Sequence, residues 1–331
     1  MSSAAILVAG RSGLSAEMRP PLALRGVLPA LVTPFLAGDP GELDLHALSR
    51  LAARATSRGV AGLVVCGSTG EAPALSAAEH ARTVACMVEA SGRRPVIAGV
   101  GAPCTEAAVA LAVAAEHLGA TALLVSAPPY VKPGQAGLRA HVRAIAAATG
   151  LPIMPYDVPF RTGIAFSDET IARLFEDGLI QALKDASRDL SRPPRLARLC
   201  GPHLVQLSGD DAVALAHLAM GGQGCVSVTA NVAPALCATL QAAFATRDLS
   251  FAATLRDLIA PLDAALFTET NPIPVKSALG LLDLCSPGLR LPLTRAEPAT
   301  VKRLSGALTP VMEREEAMAF ALTRRRLRQA A

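Results

Sequence analysis

Lysine is scarce in this chain. Lys132, Lys184, Lys276 and Lys302 are four of 31 basic residues, and the rest are arginine. Lys184 directly follows the mostly apolar run from Ile180 to Leu183. Arginine cannot replace an amine that must add to a carbonyl, because its guanidinium stays protonated and is a poor nucleophile. Tyrosine is scarcer still: the two in the chain, Tyr130 and Tyr156, each fall at or just beyond the end of an apolar run. Near them lie Gly67-Ser68-Thr69-Gly70-Glu71, with two adjacent hydroxyls, and Arg161 in Tyr156-Asp157-Val158-Pro159-Phe160-Arg161-Thr162-Gly163. In an arbitrary chain a lysine at a strand end is more often ion-paired or snorkelling than a nucleophile, and a tyrosine equally suits packing with a satisfied hydroxyl. The convergence of an amine, two phenols, paired hydroxyls and an arginine favours imine formation with a carbonyl substrate.

Bringing these residues together requires elements that end on one face. Glycine followed almost at once by a short apolar run recurs at Gly59, Gly92, Gly119, Gly150, Gly178, Gly201 and Gly221, where a left-handed residue would end a helix. The runs read as buried strands over 62–66, 95–98, 122–126, 152–156, 180–183, 204–207 and 225–228, with 27–32 in front. Helix-length segments separate them. Ser76 with Glu79 forms a capping box, and Thr105 and Ser167 stand where N-caps belong. Eight strand-then-helix units with nearly continuous apolar strands predict a parallel sheet closed as a (β/α)8 TIM barrel over residues 25–245. Residues 246–331 are expected to form a helical C-terminal extension and residues 1–24 a loose N-terminal one, with a transit peptide as the lesser option. An open doubly wound sheet is disfavoured because no G-x-G-x-x-G follows the first strand.

Composition narrows the function. A 331-residue chain with 51% hydrophobic and 18% charged residues has enough apolar content for a large core and is not disordered. Its net charge of +4 is dispersed except for Arg324, Arg325, Arg326 and Arg328, which read as a solvated helix end, so no nucleic-acid partner is expected. The charge-free stretch 212–246 is broken by glycines, Asn231 and Pro234, so it reads as buried core and not as a membrane span. Seven cysteines without metal or redox spacing imply reduced thiols in a cytoplasmic protein. The six histidines include no i, i+4 pair, so no metal is expected, and imine formation on a lysine requires no organic cofactor.

Several ordered motifs, from about Gly26 to Arg295, resemble the dihydrodipicolinate synthase and N-acetylneuraminate lyase family of pyruvate-dependent Schiff-base enzymes. They are Leu31-Val32-Thr33-Pro34-Phe35, the Gly67–Glu71 segment, Tyr156-x-Val158-Pro159-x-Arg161-Thr162-Gly163, Lys184-Asp185-Ala186, Gly224-Cys225-Val226-Ser227-Val228 and Asn271-Pro272-Ile273-Pro274-Val275-Lys276. The resemblance implies that Lys184 forms the imine with pyruvate and that Tyr156 relays protons. Thr69 would connect Tyr156 to Tyr130, which in the family reaches in from a neighbouring subunit. It further implies that the amides of Ser68 and Thr69 hold the pyruvate carboxylate, that the Val226 carbonyl lies close by, and that Arg161 grips the carboxylate of aspartate semialdehyde. The implied activity is a lyase condensing pyruvate with L-aspartate 4-semialdehyde to 4-hydroxy-tetrahydrodipicolinate, in lysine and diaminopimelate biosynthesis. A homo-oligomer, a dimer or dimer of dimers, is implied with it. The alternatives are an aldolase or dehydratase for a 2-keto-3-deoxy sugar acid and a non-catalytic keto-acid-binding barrel.

Departures from the family pattern are also informative. Asp157 stands where the family commonly has asparagine, and a carboxylate facing the amine would hinder it. Ala72, Ala77, Pro103 and Pro129 occupy places that bind the inhibitor in lysine-regulated synthases, with His80 and Glu106 remaining, so weak or absent lysine feedback is expected. Gly221-Gly222-Gln223-Gly224 reads as a tight turn, with a phosphate cradle as the lesser option. Lys276 reads as structural, and Glu269 as a contact of the closing helices.

Overall fold

The computed structural model describes residue 22 and residues 24–36 and 41–330, with side chains as far as Arg324. The expected extension over residues 1–24 lies outside the described residues, apart from Leu22 and Leu24, which are buried. Eight strands, β1 (Gly26–Pro29), β2 (Leu63–Val65), β3 (Val96–Gly99), β4 (Ala122–Ser126), β5 (Ile153–Asp157), β6 (Ala182–Asp185), β7 (Val205–Ser208) and β8 (Gly224–Ser227), form one sheet in the order β1-β8-β7-β6-β5-β4-β3-β2. Each neighbouring pair is parallel. The ends of the sheet meet: the Leu31 N–H donates to the Val64 carbonyl at 2.9 Å and the Ala61 N–H to the Val27 carbonyl at 2.8 Å. The sheet is therefore a (β/α)8 barrel, not an open doubly wound one.

Helices α1 (Leu45–Ser57), α2 (Ala77–Ala90), α3 (Thr105–His117), α4 (Gln135–Ala148), α5 (Pro159–Thr162), α6 (Asp168–Glu176), α7 (Arg192–Cys200), α8 (Ala214–Ala219) and α9 (Pro234–Ala245) lie between or after the strands. Beyond them come α10 (Leu249–Leu266), α11 (Ile273–Leu281) and α12 (Pro298–Ala330). No helix among the described residues is long and apolar enough to cross a membrane. Strand alternation divides the core in two. Leu28, Val64, Ile97, Ala122, Leu124, Met154, Tyr156, Ala182, Leu207 and Val226 fill the barrel interior, while Leu63, Val65, Val96, Leu123, Ile153 and Leu183 pack outward under the helices. That parity sends Lys184 inward with Ala182, and Asp157 and Asp185 outward.

Local signals explain most of the helix boundaries. The Ser76–Glu79 capping box is present, and Ser167 accepts from the Thr170 N–H at 3.1 Å. Thr105 differs from expectation: Cys104 is the cap residue, with no side-chain bond, and the Thr105 hydroxyl pairs with His141 Nδ1 at 3.0 Å. Gly150 also differs, since it is absent from the left-handed glycines and its N–H is taken by Glu116 Oε1 at 2.9 Å. The Gly221–Gly224 turn precedes β8, at the opposite end of the barrel from the loops after the strands, and its amides are used in closing α8 onto the strand. It cradles no phosphate at the expected face. Deep in α12, Glu315 is fully buried and accepts from the Ala235 and Leu236 N–H groups at the start of α9 and from Arg58, just after α1. The carboxylate thereby fastens the last helix to the barrel.

Candidate active site

Tyr156 and Lys184 are register partners across the β5–β6 ladder, with both side chains inside the barrel near its C-terminal mouth. Lys184 is 6% and Tyr156 7% exposed, and Lys184 Nζ lies 3.8 Å from the centroid of the tyrosine ring. A Cβ at Gly209 would stand 3.1 Å from Lys184 Cε, so the glycine leaves room for the lysine stem. Among the described residues, no carboxylate reaches ion-pairing distance of Lys184. Lys276 makes the contrast: fully buried in α11, it is bonded to Glu71 Oε1 and to the Gly288 carbonyl at 2.7 Å. One lysine is tied into the framework and the other is not. Nearby thiols are poor rivals for the amine, since burial pushes the Cys225 thiol well up and the Cys66 thiol up to about 12.

The loop after β2 is held in place from two sides. Thr33 donates its hydroxyl to the Gly70 carbonyl at 2.7 Å, and Glu71 is held by Lys276 and by the Arg290 N–H at 3.0 Å. Fixed at both ends, the loop carries its amides in a tight turn in which the Gly70 and Glu71 N–H groups are spent on the Gly67 and Ser68 carbonyls. Among the described residues, the Ser68 and Thr69 N–H groups have no acceptor, so two adjacent donors remain unused in this turn. Cys66 and Glu71 bracket the turn with φ near 50°, and Tyr130 and Lys132 after β4 and Arg188 after β6 are left-handed too. Among the described residues, five of the seven non-glycine residues with positive φ thus sit in loops at this end of the barrel.

A cavity of about 410 Å³ opens here, with Ser68, Leu124, Ser126, Tyr156, Arg161 and Asn271 among its lining residues. Lys184 is not on its wall. Its Nζ lies against the ring of Tyr156, which does line the cavity. Val226 is buried beside them in the interior core. Arg161 donates from Nη2 to the Asn271 carbonyl at 2.8 Å, and Asn271 Nδ2 donates to Thr69 Oγ1 at 2.9 Å. One asparagine therefore links the predicted carboxylate grip to the predicted proton relay. It stands in a quoted motif, but its function as a link could not be read from spacing, because it comes from a segment that only folding brings to the barrel mouth. Tyr130 is the predicted site residue that the single chain does not bring in: it is 93% exposed, next to the cavity-lining Pro129.

Asp157 faces away from the amine. It accepts from Arg192 Nη1 at 2.6 Å and from the Phe166 N–H at 3.2 Å, outside the barrel wall. Burial raises its pKa above the ordinary carboxyl range, against the opposing pull of Arg192. Lysine, tyrosine, free amide pair and arginine all meet at one barrel mouth, and the comparison with known proteins agrees with that geometry. Residues 23–310 match the dihydrodipicolinate synthetase family. The chain belongs to this family. The 4-hydroxy-tetrahydrodipicolinate synthase of Rhodospirillum centenum is 47% identical over 86% of this chain and 97% of its own. The solved structure of the 4-hydroxy-tetrahydrodipicolinate synthase of Methylacidiphilum fumariolicum superposes with a TM-score of 0.86 at 34% identity, covering 91% of this chain and 99% of that one. A chloride-inhibited dihydrodipicolinate synthase of Acinetobacter baumannii, solved with pyruvate, gives a TM-score of 0.84 at 39% identity over 87% and 99%.

Proposed function

We propose that this chain is a 4-hydroxy-tetrahydrodipicolinate synthase that joins pyruvate to L-aspartate 4-semialdehyde through an imine on Lys184. The observation that carries this reading is the buried Lys184 amine, without an ion-pair partner among the described residues and stacked on Tyr156. The neutral amine adds to the pyruvate carbonyl carbon, and the resulting carbinolamine loses water as Tyr156 delivers a proton to the departing oxygen. The Ser68 and Thr69 amides hold the pyruvate carboxylate, and Thr69 passes protons between Tyr156 and the Tyr130 of a neighbouring subunit. Loss of a methyl proton turns the imine into an enamine, whose carbon attacks the aldehyde while Arg161 grips the second carboxylate. The substrate's own amine then attacks the imine carbon, closes the ring and frees Lys184.

We assign the catalytic barrel to residues 25–245 and the helical region to 246–331. The working form is a cytoplasmic homo-oligomer, a dimer or dimer of dimers. The test is a substrate comparison with purified enzyme. Condensation of pyruvate with aspartate semialdehyde is expected to exceed cleavage of 2-keto-3-deoxy sugar acids. Faster cleavage would transfer the assignment to a sugar-acid aldolase, and the absence of both activities would favour a binding protein.

A further inference from the structure

Arg192 opens α7 outside the barrel wall, yet its guanidinium is buried against the strands that carry Tyr156 and Lys184. Its Nη1 donates to Asp157 Oδ2 at 2.6 Å and to Asp185 Oδ1 at 3.3 Å. Nη2 donates to the Phe166 carbonyl at 2.7 Å, and Nε to Asp168 Oδ1 at 2.9 Å. Asp157 and Asp185 are the residues that follow Tyr156 and Lys184, and they face each other across the β5–β6 ladder just as the tyrosine and lysine do. Alternation puts the amine and phenol on the inner side of the wall and the two acids on the outer side.

Two carboxylates directly opposite each other on neighbouring strands repel, and burial removes the water that would screen them. The only other cation on these two strands is Lys184 itself. Without Arg192, the acids would have to take up a proton, separate the strand ends, or turn toward the amine. An anion pairing with that amine would favour its protonated, non-nucleophilic form. A planar guanidinium meets four acceptors at fixed angles, which an ammonium point charge cannot do.

We propose that Arg192 is a positioning residue for the chemistry at Lys184. It clamps Asp157 and Asp185 on the outer face, fixes the register that stacks the amine on the Tyr156 ring, and keeps two anions turned away from the amine. The inference rests on the reading of Lys184 and Tyr156 as the reacting pair.

The readout is the rate at which pyruvate and borohydride convert Lys184 to a reduced adduct, with circular dichroism to confirm folding. Arg192→Gln is expected to slow adduct formation by about tenfold or more, because it leaves buried carboxylates without their cation. Adding Asp157→Asn to Arg192→Gln replaces the ion pair with an amide pair and should restore the rate to within about threefold of the parent. Adding Asp168→Asn instead removes an Arg192 partner that follows neither reacting residue, and should restore nothing. Arg192→Lys keeps the charge without the fork and should fall between the parent and Arg192→Gln.

Folded Arg192 variants that trap pyruvate at the parent rate would overturn the inference. So would equal rescue by the Asp157 and Asp168 substitutions, or failure of both Arg192→Gln and Arg192→Lys to fold, which would mark a framework residue. If the parent itself gains no adduct on Lys184, the functional reading fails first and separately.

Discussion

Among single residues, the difference between Lys184 and Lys276 is one of partners. Both are buried, but Lys276 is held by Glu71 and the Gly288 carbonyl, while Lys184 lies against the Tyr156 ring and has no carboxylate partner among the described residues. Tyr156 lines the cavity and carries the hydroxyl proposed to relay protons. Tyr156→Phe keeps the ring and removes the hydroxyl, so kcat should drop by about 100-fold or more with the fold intact; steady-state kinetics retaining near-parent kcat would remove the phenol from the relay. Scarcity and strand-end placement made Lys184 and both tyrosines conspicuous, and Arg161 stood out by its place in the Tyr156–Gly163 motif. Arg192 was not legible in the same way, since one arginine among many has no distinguishing signal until its burial against Asp157 and Asp185 is seen. Ala72, Ala77, Pro103 and Pro129 offer few charged or hydrogen-bonding groups to an amino-acid zwitterion. Titration with lysine is accordingly expected to leave activity unchanged at sub-millimolar concentration, and clear inhibition there would show that other groups bind it.

At the scale of elements, the apolar runs located seven of the eight strands to within two residues, while β1 ends at Pro29, three residues short of its run. The run at 180–183 becomes a strand over Ala182–Asp185 because Lys184 can point inward and Asp185 can be neutralised by Arg192. Hydrophobic patterning does not register charged residues that are buried with partners. A second carboxylate pair affects stability. Burial first, and the charge of Asp211 second, push Asp263 of α10 up to about 8, although it accepts from the Thr229 hydroxyl. Its native pKa thus exceeds its unfolded value near 4, so the native state holds the extra proton, and stability should fall as pH rises from about 4 through 8. Asp263→Asn removes that proton dependence. Thermal melts should show little difference at pH 5 and a variant more stable by about 2–4 °C at pH 8, the shift that roughly 1 kcal/mol gives in a chain of this size. Parallel melting curves at both pH values would mean that the pair does not titrate in this range.

On the scale of the whole molecule, closure was legible because eight strand–helix units with strands buried on both faces suit a barrel, and the open doubly wound alternative lacked its G-x-G-x-x-G after the first strand. What lies across the mouth was not, because no periodicity records a neighbouring subunit. Tyr130 stands 93% exposed beside a cavity lined by Pro129 and Leu291, and Phe160 and Leu291 are themselves 70% and 81% exposed. A neighbouring subunit covering this edge would insert its Tyr130 and receive the reciprocal one. Tyr130→Phe and Lys184→Arg chains, each expected to be nearly inactive alone, should then complement when mixed under exchange. A mixed dimer unites one intact lysine with one intact Tyr130, so random pairing should restore about a quarter of the sites. No recovery after demonstrated exchange would place Tyr130 outside the neighbour's site.

The central claim is that the buried amine of Lys184 becomes covalently joined to pyruvate. Peptide mapping after incubation with pyruvate and borohydride tests it most directly. The expected result is a single reduced pyruvyl adduct on the peptide containing Lys184, formed in step with loss of activity and absent from Lys184→Arg. An unmodified Lys184 in inactivated enzyme, or an adduct on Lys132, Lys276 or Lys302 in its place, would contradict the account.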